Sequence, residues 1–235
     1  FSLRFMETET KISFVDIIGL ENVRKHIQEQ VLLPLLMPDF FKGIRRPTKG
    51  LLLFGPKGSG KKLLMKALAK SAKIPFLGIS IVDLVGRNGV KSEEKVKVLF
   101  ETAREKQPAI IYIDELEQLS DIDPDGKLKL ELIIQIETKY GIEDNIYVVM
   151  ATTAPWNIDL YIKRILPLRI YFELPNAIER SLLIQDMMKG LKYKLNDEES
   201  QQILELTEGF TRAELSSFLK EAFELVLKTL EVSNY

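Results

Sequence analysis

The sequence feature that most constrains the fold is a glycine-rich loop between an apolar run and a helix-forming segment. The loop reads GPKGSGKK at residues 55–62, and it follows the apolar run LLLF. The segment KKLLMKALAKSAK, which begins within the loop, consists mostly of residues with high helix propensity. Such a loop lets backbone N–H groups point at phosphate oxygens, and the helix N-terminus adds positive potential. The sequence therefore predicts a phosphate-binding loop.

One position of this loop departs from the phosphate-binding pattern G-x-x-x-x-G-K-[ST]. Lys62 stands where the pattern has a hydroxyl side chain that binds Mg²⁺. A lysine ammonium group only donates hydrogen bonds and cannot bind a metal, although its charge can occupy the metal's place. The predicted phosphate-binding residues are Gly55, Pro56, Lys57, Gly58, Ser59, Gly60, Lys61 and Lys62.

A second apolar run ends in two acidic residues further along the chain. The run AIIYIDE at residues 109–115 is typical of a buried strand, and its last two residues are Asp114 and Glu115. In a nucleotide site, Asp114 is expected to hold Mg²⁺ through water, and Glu115 is expected to orient and polarise the attacking water. Together with the glycine loop, this strand end predicts a site for nucleotide hydrolysis.

Apolar strand-like runs alternate with helix-like segments up to Pro175. The predicted strands are KGLLLFGP, IPFLGIS, AIIYIDE, NIYVVMAT and LRIYFELP. The predicted helices between and before them include LENVRKHIQEQVLLPLL, ending near Pro34 and Pro38, as well as SEEKVKVLFETAREK and LKLELIIQIETKY. This alternation predicts an α/β fold with a parallel sheet covered by helices on both faces. Three helical segments follow Pro175, so we predict a large nucleotide-binding domain over residues 12–175 and a small all-α domain over residues 176–235.

Composition excludes several other classes of function. The chain has no cysteine and one histidine, His26, which excludes disulfides, cysteine-zinc sites and multi-histidine metal sites. Its 33 basic and 34 acidic residues give a net charge of −1, so a nucleic-acid partner is not expected. No apolar run is long enough to predict a membrane span, and no signal peptide is recognisable. We therefore expect a cytoplasmic or nuclear location.

The basic stretch KGIRRPTK at residues 42–49 has two interpretations. It can contact an acidic partner, such as a tubulin tail, through its four positive charges. It can equally be a solvated loop that leads into the first strand, and this second interpretation is the one we favour.

Three longer stretches together resemble a known family. They are DIIGLENVRKHIQEQVLLPLLMPDFFKGIRRPTKGLLLFGPKGSGKK, PAIIYIDELEQL and PWNIDLYIKRILPLRIYFELP. Residues 12–230 resemble the AAA ATPase module of the clade that includes katanin, spastin, fidgetin and the ATPase that disassembles ESCRT-III. The stretch MPDFFKGIRRP is most similar to the katanin catalytic subunit. The resemblance implies a P-loop fold with five parallel strands and a small helical lid, with ATP or ADP and Mg²⁺ as cofactors.

The resemblance also implies an assembly and a partner. Members of this family form rings, usually hexamers, with ATP between subunits, and they pull a polymer segment such as a microtubule component through a central pore. On this basis we expect the chain to pair with itself or a related AAA subunit and to be associated with the cytoskeleton. The family's further C-terminal helix is not recognisable before Tyr235, and this would weaken stable ring assembly.

Several catalytic and binding residues follow from the resemblance. Arg164 matches the first of two arginine fingers, which stabilise charge on the neighbouring subunit's ATP. Ile165 replaces the second finger, and Thr153 replaces the asparagine that helps to position the attacking water. Loss of one arginine finger lowers the hydrolysis rate by roughly 10³–10⁵. The residues that match the segment against adenine are Asp16, Ile17 and Gly19.

The pore loop and the lid also depart from the family pattern. Arg87 and Asn88 stand where the pore loop normally has a lysine and an aromatic residue that grips the substrate. In the lid, Gly209 is assigned to the nucleotide-binding set. Arg212 replaces a glycine near the adenine, where its side chain either obstructs the base or stacks on it.

Three hypotheses about function remain at this point. The first is an active AAA ATPase that remodels a protein polymer, and the second is a non-catalytic or weakly active ring subunit that lends Arg164 to an active partner. The third is a P-loop ATPase directed to nucleic acid, which the near-zero net charge disfavours. The losses at Lys62, Thr153 and Ile165 favour the second hypothesis.

Overall fold

The computed structural model describes residues 13–14, 16–41, 48, 50–86, 89–137, 145–190 and 195–232. Contacts among these residues divide the chain into two compact units. The first unit takes the chain up to Ile17 together with Glu21–Gly55 and Lys61–Phe172. The second takes Ile18–Leu20, Pro56–Gly60 and the chain from Glu173 onward. The predicted division of the chain into domains 12–175 and 176–235 stays a prediction.

The first unit contains a single five-stranded sheet in which all pairings are parallel. Its strands are β1 (Gly50–Phe54), β2 (Phe76–Ser80), β3 (Ala109–Asp114), β4 (Ile146–Thr152) and β5 (Leu168–Tyr171). Their order across the sheet is β2-β3-β4-β1-β5. The prediction of an α/β fold with a five-stranded parallel sheet is confirmed.

Strand register places the predicted functional residues at one edge of this sheet. Phe54 of β1 is opposite Thr152 of β4, and Ser80 of β2 is opposite Asp114 of β3. These four residues are all the last residues of their strands. Because the carboxyl ends of parallel strands meet at the same edge, the glycine loop and the acidic pair follow neighbouring parts of that edge.

Both faces of the sheet are buried along strands β1 to β4, whereas the edge strand β5 is partly exposed. Alternate residues of β3, Ile111 and Ile113, belong to a core shared with apolar residues of two helices, α4 (Ser92–Glu105) and α6 (Lys127–Glu137). The residues between them, Ile110 and Tyr112, are also fully buried. The helices of the first unit are α1 (Glu21–Ile27), α2 (Leu33–Leu36), α3 (Lys61–Ala72), α4 (Ser92–Glu105), α5 (Leu119–Ile122), α6 (Lys127–Glu137) and α7 (Leu160–Ile165). Burial on both faces explains why these strands read as continuous apolar runs.

The first helical segment passes through Pro34 and ends at Leu36. A π-helical turn, Gln28–Leu32, joins α1 to α2, and the Leu33 N–H donates to the Gln28 carbonyl. Pro34 has no N–H to donate, and the wider π turn lies directly before it, so the chain remains helical up to Leu36. The expectation that this helix ends near Pro34 and Pro38 is therefore confirmed.

The second unit is built from three helices around a small apolar core. They are α8 (Ala177–Met187), α9 (Asp197–Leu206) and α10 (Arg212–Val232). Its buried core residues are Leu183, Ile184, Met188, Leu215 and Leu219. Helices α8 and α9 each begin with a capping box, formed by Asn176 with Glu179 and by Asn196 with Glu199. Within the part of the chain that the structure describes, neither these helices nor the others have the length and apolar composition needed to cross a membrane.

Candidate nucleotide-binding site

The phosphate loop leaves β1 through a backbone conformation that only glycine adopts easily. Gly55 has a φ of 145°, and a β-carbon on it would lie 2.5 Å from the Phe172 carbonyl oxygen. The Gly55 N–H donates to the Thr152 carbonyl, which holds the start of the loop against β4. The turn that follows contains Gly58 and Gly60, both with positive φ. The loop therefore has the curled backbone that the sequence predicts for phosphate binding.

The lysine of the loop is fixed by the loop's own first residue. The Lys61 Nζ donates to the Gly55 carbonyl at 2.7 Å, and only 8% of the Lys61 surface is exposed. Burial lowers the pKa of Lys61, while the carboxylates of Asp114 and Glu117 raise it in part. The ammonium group is thus held at the beginning of the loop, where it is available to phosphate oxygens.

Lys62 pairs with the carboxylate that was predicted to hold the metal. Its Nζ lies 3.9 Å from the Asp114 Oδ2, and both side chains are 28% exposed. The other carboxylate oxygen of Asp114 accepts a hydrogen bond from the Glu115 N–H at 3.1 Å. Burial raises the pKa of Asp114, and the Glu115 N–H and the charge of Lys62 only partly offset this.

The pairing of Lys62 with Asp114 affects whether Mg²⁺ can bind at this site. A divalent cation near Asp114 would meet the positive charge of Lys62, and position 62 supplies no oxygen ligand. The glycine loop and Lys61 fit the phosphates of ATP or ADP, whereas Lys62 and Asp114 as arranged do not fit the metal.

The predicted catalytic residue Glu115 has a strained backbone and a fixed side chain. Its φ and ψ are 60° and 38°, in the left-handed region that costs a residue with a side chain roughly 1–2 kcal/mol. The Ser80 hydroxyl donates to the Glu115 Oε2 at 2.6 Å. Backbone strain of this kind is concentrated at functional positions, so the geometry supports a functional role for Glu115.

A second acidic residue, which sequence reasoning missed, organises the end of β4. Glu117 accepts hydrogen bonds from the hydroxyls of Thr152 and Thr153, each at 2.7 Å, and from the Thr153 N–H at 3.3 Å. Burial raises the pKa of Glu117, but hydrogen bonds from Thr153 and Thr152 outweigh it, and the net pKa is lowered. The hydroxyl proton of Thr153 is therefore directed to Glu117, which leaves its oxygen able to accept a hydrogen bond but not to donate one to water.

Helix α7 places the two arginine-finger positions in different environments, one exposed and one buried. Arg164 is exposed, whereas Ile165 is 8% exposed and belongs to the core of the first unit. Asp159 caps the start of the helix, where its carboxylate accepts from the Tyr161 N–H and pairs with Lys129 at 3.1 Å. Arg164 is thus free to reach outward, while the second position carries an apolar side chain that stabilises the core.

The remaining predicted residues lie on loops. In the first unit, Asp16 accepts a hydrogen bond from the Ser13 N–H, and the Ile17 carbonyl accepts one from Arg24. Gly209 lies between α9 and α10 with a φ of 77° and open space around its α-carbon. Its assignment to the nucleotide stays a prediction, as do the roles of Asp16 and Ile17. Arg87 and Asn88 lie outside the described residues.

Two segments of the second unit meet the start of α10. The Ala213 N–H donates to the Gly58 carbonyl at 3.2 Å, and a β-carbon on Gly58 would lie 2.7 Å from the Ala213 Cβ. The Arg212 Nη1 donates to the Ile18 carbonyl, next to the predicted adenine contact Gly19. Phosphate-loop and adenine-segment residues are therefore both in contact with the beginning of one lid helix.

Comparison with known proteins identifies the class to which this site belongs. Residues 51–174 match the ATPase family associated with various cellular activities (AAA). The chain belongs to the AAA family.

Relatives of known sequence place the chain more closely. It is 36% identical to spastin of Xenopus tropicalis over 218 residues, which is 90% of this chain and 36% of spastin. It is 37% identical to the ATPase family AAA domain-containing protein FIGL1 of Arabidopsis thaliana over 230 residues, which is 94% of this chain and 34% of that protein. The chain thus spans about a third of the length of these curated relatives.

Solved structures agree with this placement. A crystal structure of the FIGL-1 AAA domain in complex with ADP matches 91% of this chain and 73% of its own, with a TM-score of 0.80 and 32% identity. A structure on katanin self-assembly matches 94% of this chain and 73% of its own, with a TM-score of 0.79 and 35% identity. The predicted resemblance to the AAA module of the katanin, spastin and fidgetin clade is confirmed.

Proposed function

We propose that this AAA module binds ATP or ADP with little dependence on Mg²⁺, hydrolyses ATP slowly, and acts as a non-catalytic or weakly active ring subunit. The observation that carries the proposal is the ion pair between Lys62 and Asp114, 3.9 Å apart. It puts a fixed positive charge beside the carboxylate that, by family resemblance, would hold the metal.

The ion pair affects nucleotide and metal in opposite ways. A lysine ammonium attracts phosphate oxygens as a point charge, so Lys62 supplements Lys61 in neutralising the nucleotide. The same charge repels a divalent cation that approaches the Asp114 carboxylate. We therefore expect the nucleotide to be retained when the metal is removed.

Slow hydrolysis follows from the groups that remain. Glu115 is kept, but it is hydrogen-bonded to Ser80, and the Thr153 hydroxyl is directed to Glu117. The Thr153 hydroxyl then cannot donate a hydrogen bond to the attacking water, whereas the Glu115 carboxylate still has lone pairs that can accept a proton. The buried Ile165 supplies no charge to a neighbouring site, and the loss of one finger alone lowers the rate by roughly 10³–10⁵.

An active polymer-remodelling ATPase is the second candidate. The observation that favours it is the left-handed backbone of Glu115, because strain of about 1–3 kcal/mol is seldom kept at a position without function. The exposed Arg164 also remains available to a neighbouring subunit. Under this alternative, a microtubule or another protein polymer is the substrate.

The proposed assembly rests on the relatives. We infer a ring, a hexamer by family resemblance, formed with further copies of this chain or with a related AAA subunit to which Arg164 is supplied. Self-assembly is described for the katanin structure that this chain resembles. A cytoplasmic location near the cytoskeleton, with tubulin as a possible contact of the ring, completes the proposal.

Calorimetric titration of ADP and ATP, with Mg²⁺ and then with EDTA, tests the proposal. The unmodified chain should bind with similar affinity in both conditions, and Lys62→Thr should bind more weakly in EDTA but gain affinity when Mg²⁺ is added. Lys66→Thr, one turn further along α3, is the matched control and should leave the metal response unchanged. A clear gain in affinity from Mg²⁺ in the unmodified chain would contradict the proposal and favour the active ATPase.

A further inference from the structure

Arg212 spans the space between two predicted nucleotide-binding segments of the second unit. It is the first residue of α10. A β-carbon on Gly60 would lie 3.3 Å from the Arg212 Cδ, and one on Gly19 would lie 2.9 Å from its Nη2. The Nη1 donates to the Ile18 carbonyl at 2.5 Å. The guanidinium group therefore lies against the segment predicted to contact the base, while its stem passes the last glycine of the phosphate loop.

Two of the donors on this guanidinium group are buried without a partner. Within the part of the chain that the structure describes, the Arg212 Nε and Nη2 make no hydrogen bond and are shielded from solvent. Native structures seldom leave buried donors unpaired, and such groups call for a specific explanation. The Glu179 carboxylate, which also lies against Gly19, attracts the guanidinium charge without accepting a hydrogen bond from Nε or Nη2. Arginine keeps its five N–H donors at all relevant pH values, so both groups can still donate to an acceptor on a ligand.

The segment that faces Arg212 is fixed in an unusual conformation. Gly19 and Leu20 both have positive φ values, 68° and 56°. The Leu20 N–H donates to the Glu179 Oε1 at 3.1 Å, and Glu179 is itself held in the capping box of α8. The segment is thus held in a defined position, which directs the Ile18 carbonyl at Arg212.

Adenine and the 6-oxopurines carry different hydrogen-bonding groups beside N7. Adenine presents an amino donor beside its N7 acceptor, whereas guanine and hypoxanthine present the O6 acceptor beside N7. A free backbone carbonyl, such as that of Ile18, suits the adenine amino group. Here one lone pair of that carbonyl already accepts from Arg212, and the Arg212 Nε and Nη2 add donors that suit O6 and N7 but not the adenine amino group. Arginine pairs with guanine O6 and N7 through two parallel hydrogen bonds more often than with any other base edge.

We propose that Arg212 lines the base subsite with donors and shifts its selectivity from adenine toward 6-oxopurines, so that guanosine and inosine nucleotides bind alongside ATP and ADP. This inference rests on the proposed nucleotide site and assigns Arg212 as a specificity-determining residue. A side chain that only blocked the base would weaken all purine nucleotides equally, and the difference between these outcomes is measurable.

The start of α10 tolerates changes at Arg212, because other residues cap the helix. The Thr211 hydroxyl accepts from the Glu214 N–H at 3.3 Å, and the Glu214 carboxylate accepts from the Thr211 N–H at 2.7 Å. Arg212→Gly and Arg212→Lys leave both bonds in place. The lysine variant keeps the positive charge but loses the planar two-donor group, so it separates charge from base pairing.

The experiment is a calorimetric titration of the full chain and both variants with ADP, GDP and IDP in EDTA, with thermal unfolding as a check of folding. We expect the ratio of the ADP to the GDP dissociation constant to fall about tenfold in Arg212→Gly, the size of one good two-donor base contact. IDP should follow GDP, and Arg212→Lys should resemble Arg212→Gly.

The outcomes separate this inference from the proposed function. If the ADP to GDP ratio is the same in the unmodified chain and in Arg212→Gly, the selectivity role is overturned while the nucleotide site stands. Retention of the full ratio in Arg212→Lys would likewise overturn pairing through the guanidinium group. If none of the three nucleotides binds the unmodified chain, the proposed site falls and this inference with it.

Discussion

Removal of the Glu117 carboxylate should destabilise the first unit by an amount that the geometry allows us to estimate. Glu117→Ala leaves the Thr152 hydroxyl, in a side chain only 1% exposed, without its acceptor. An unsatisfied buried donor costs about 1–3 kcal/mol. The two donors of Thr153 are exposed and can turn to water, so their loss adds only about 0.5 kcal/mol. We therefore expect the free energy of unfolding to fall by about 1.5–3.5 kcal/mol.

Urea unfolding followed by far-UV circular dichroism measures this change, with an unchanged slope as the condition for comparing free energies. Glu101→Ala, at an exposed position of α4, is the matched control and should change stability by less than about 0.5 kcal/mol. A double-mutant cycle with Thr152→Val isolates the bond itself, and we expect a coupling of about 1 kcal/mol or more. A loss below about 0.5 kcal/mol in Glu117→Ala, or a coupling near zero, would refute the reasoning.

The same residue gives a pH dependence with a definite sign. The folded pKa of Glu117 is below its unfolded value, because the hydrogen bonds from the two threonines favour the carboxylate. Its contribution to stability is then fully present above the unfolded pKa of about 4.3 and is lost as the pH falls through the folded pKa. The stability difference between the unmodified chain and Glu117→Ala should therefore be larger at pH 7 than at pH values below about 4.

Two further predictions concern helix ends. Lys73 is exposed, follows α3 and has a φ of 56°, so Lys73→Gly should raise the unfolding free energy by about 1 kcal/mol, and Lys73→Ala should not. Asn176→Ala removes the capping box of α8 and should lower the free energy of unfolding by about 1 kcal/mol, as should Asn196→Ala at the start of α9. Chemical unfolding checks both, and a gain from Lys73→Ala or a negligible loss from either asparagine would contradict them.

Sequence reasoning reached the parts of the site that depend on local pattern. The glycine loop, Lys61 and the Asp114–Glu115 pair each combine a residue type with a strand end, and both signals lie within a few residues. It did not reach the Ser80–Glu115 hydrogen bond, because that depends on β2 lying beside β3 in a defined register, 35 residues apart in the chain. A polar residue at the end of an apolar strand was the only available signal.

Glu117 was missed for a related reason. Its partners on β4 lie 35 and 36 residues away, and nothing in the sequence near Glu117 indicates that β4 is the strand next to β3. The end of the first helix between Pro34 and Pro38 was predictable from the two prolines, whereas the π turn before Pro34 leaves no pattern of apolar residues distinct from an ordinary helix. Local chemistry was therefore predictable, whereas contacts set by the strand order were not.

The second unit is assembled from three separate stretches of chain, and this has a consequence for synthesis on the ribosome. The Leu20–Glu179 bond joins residues 159 apart, and the Arg212–Ile18 bond joins residues 194 apart. At typical translation rates, Ile18 and Leu20 emerge on the order of ten to forty seconds before their partners exist. During that interval the N-terminal segment makes neither of these bonds. A chaperone or partner that binds early would therefore contact this segment before α8 and α10 are available to it.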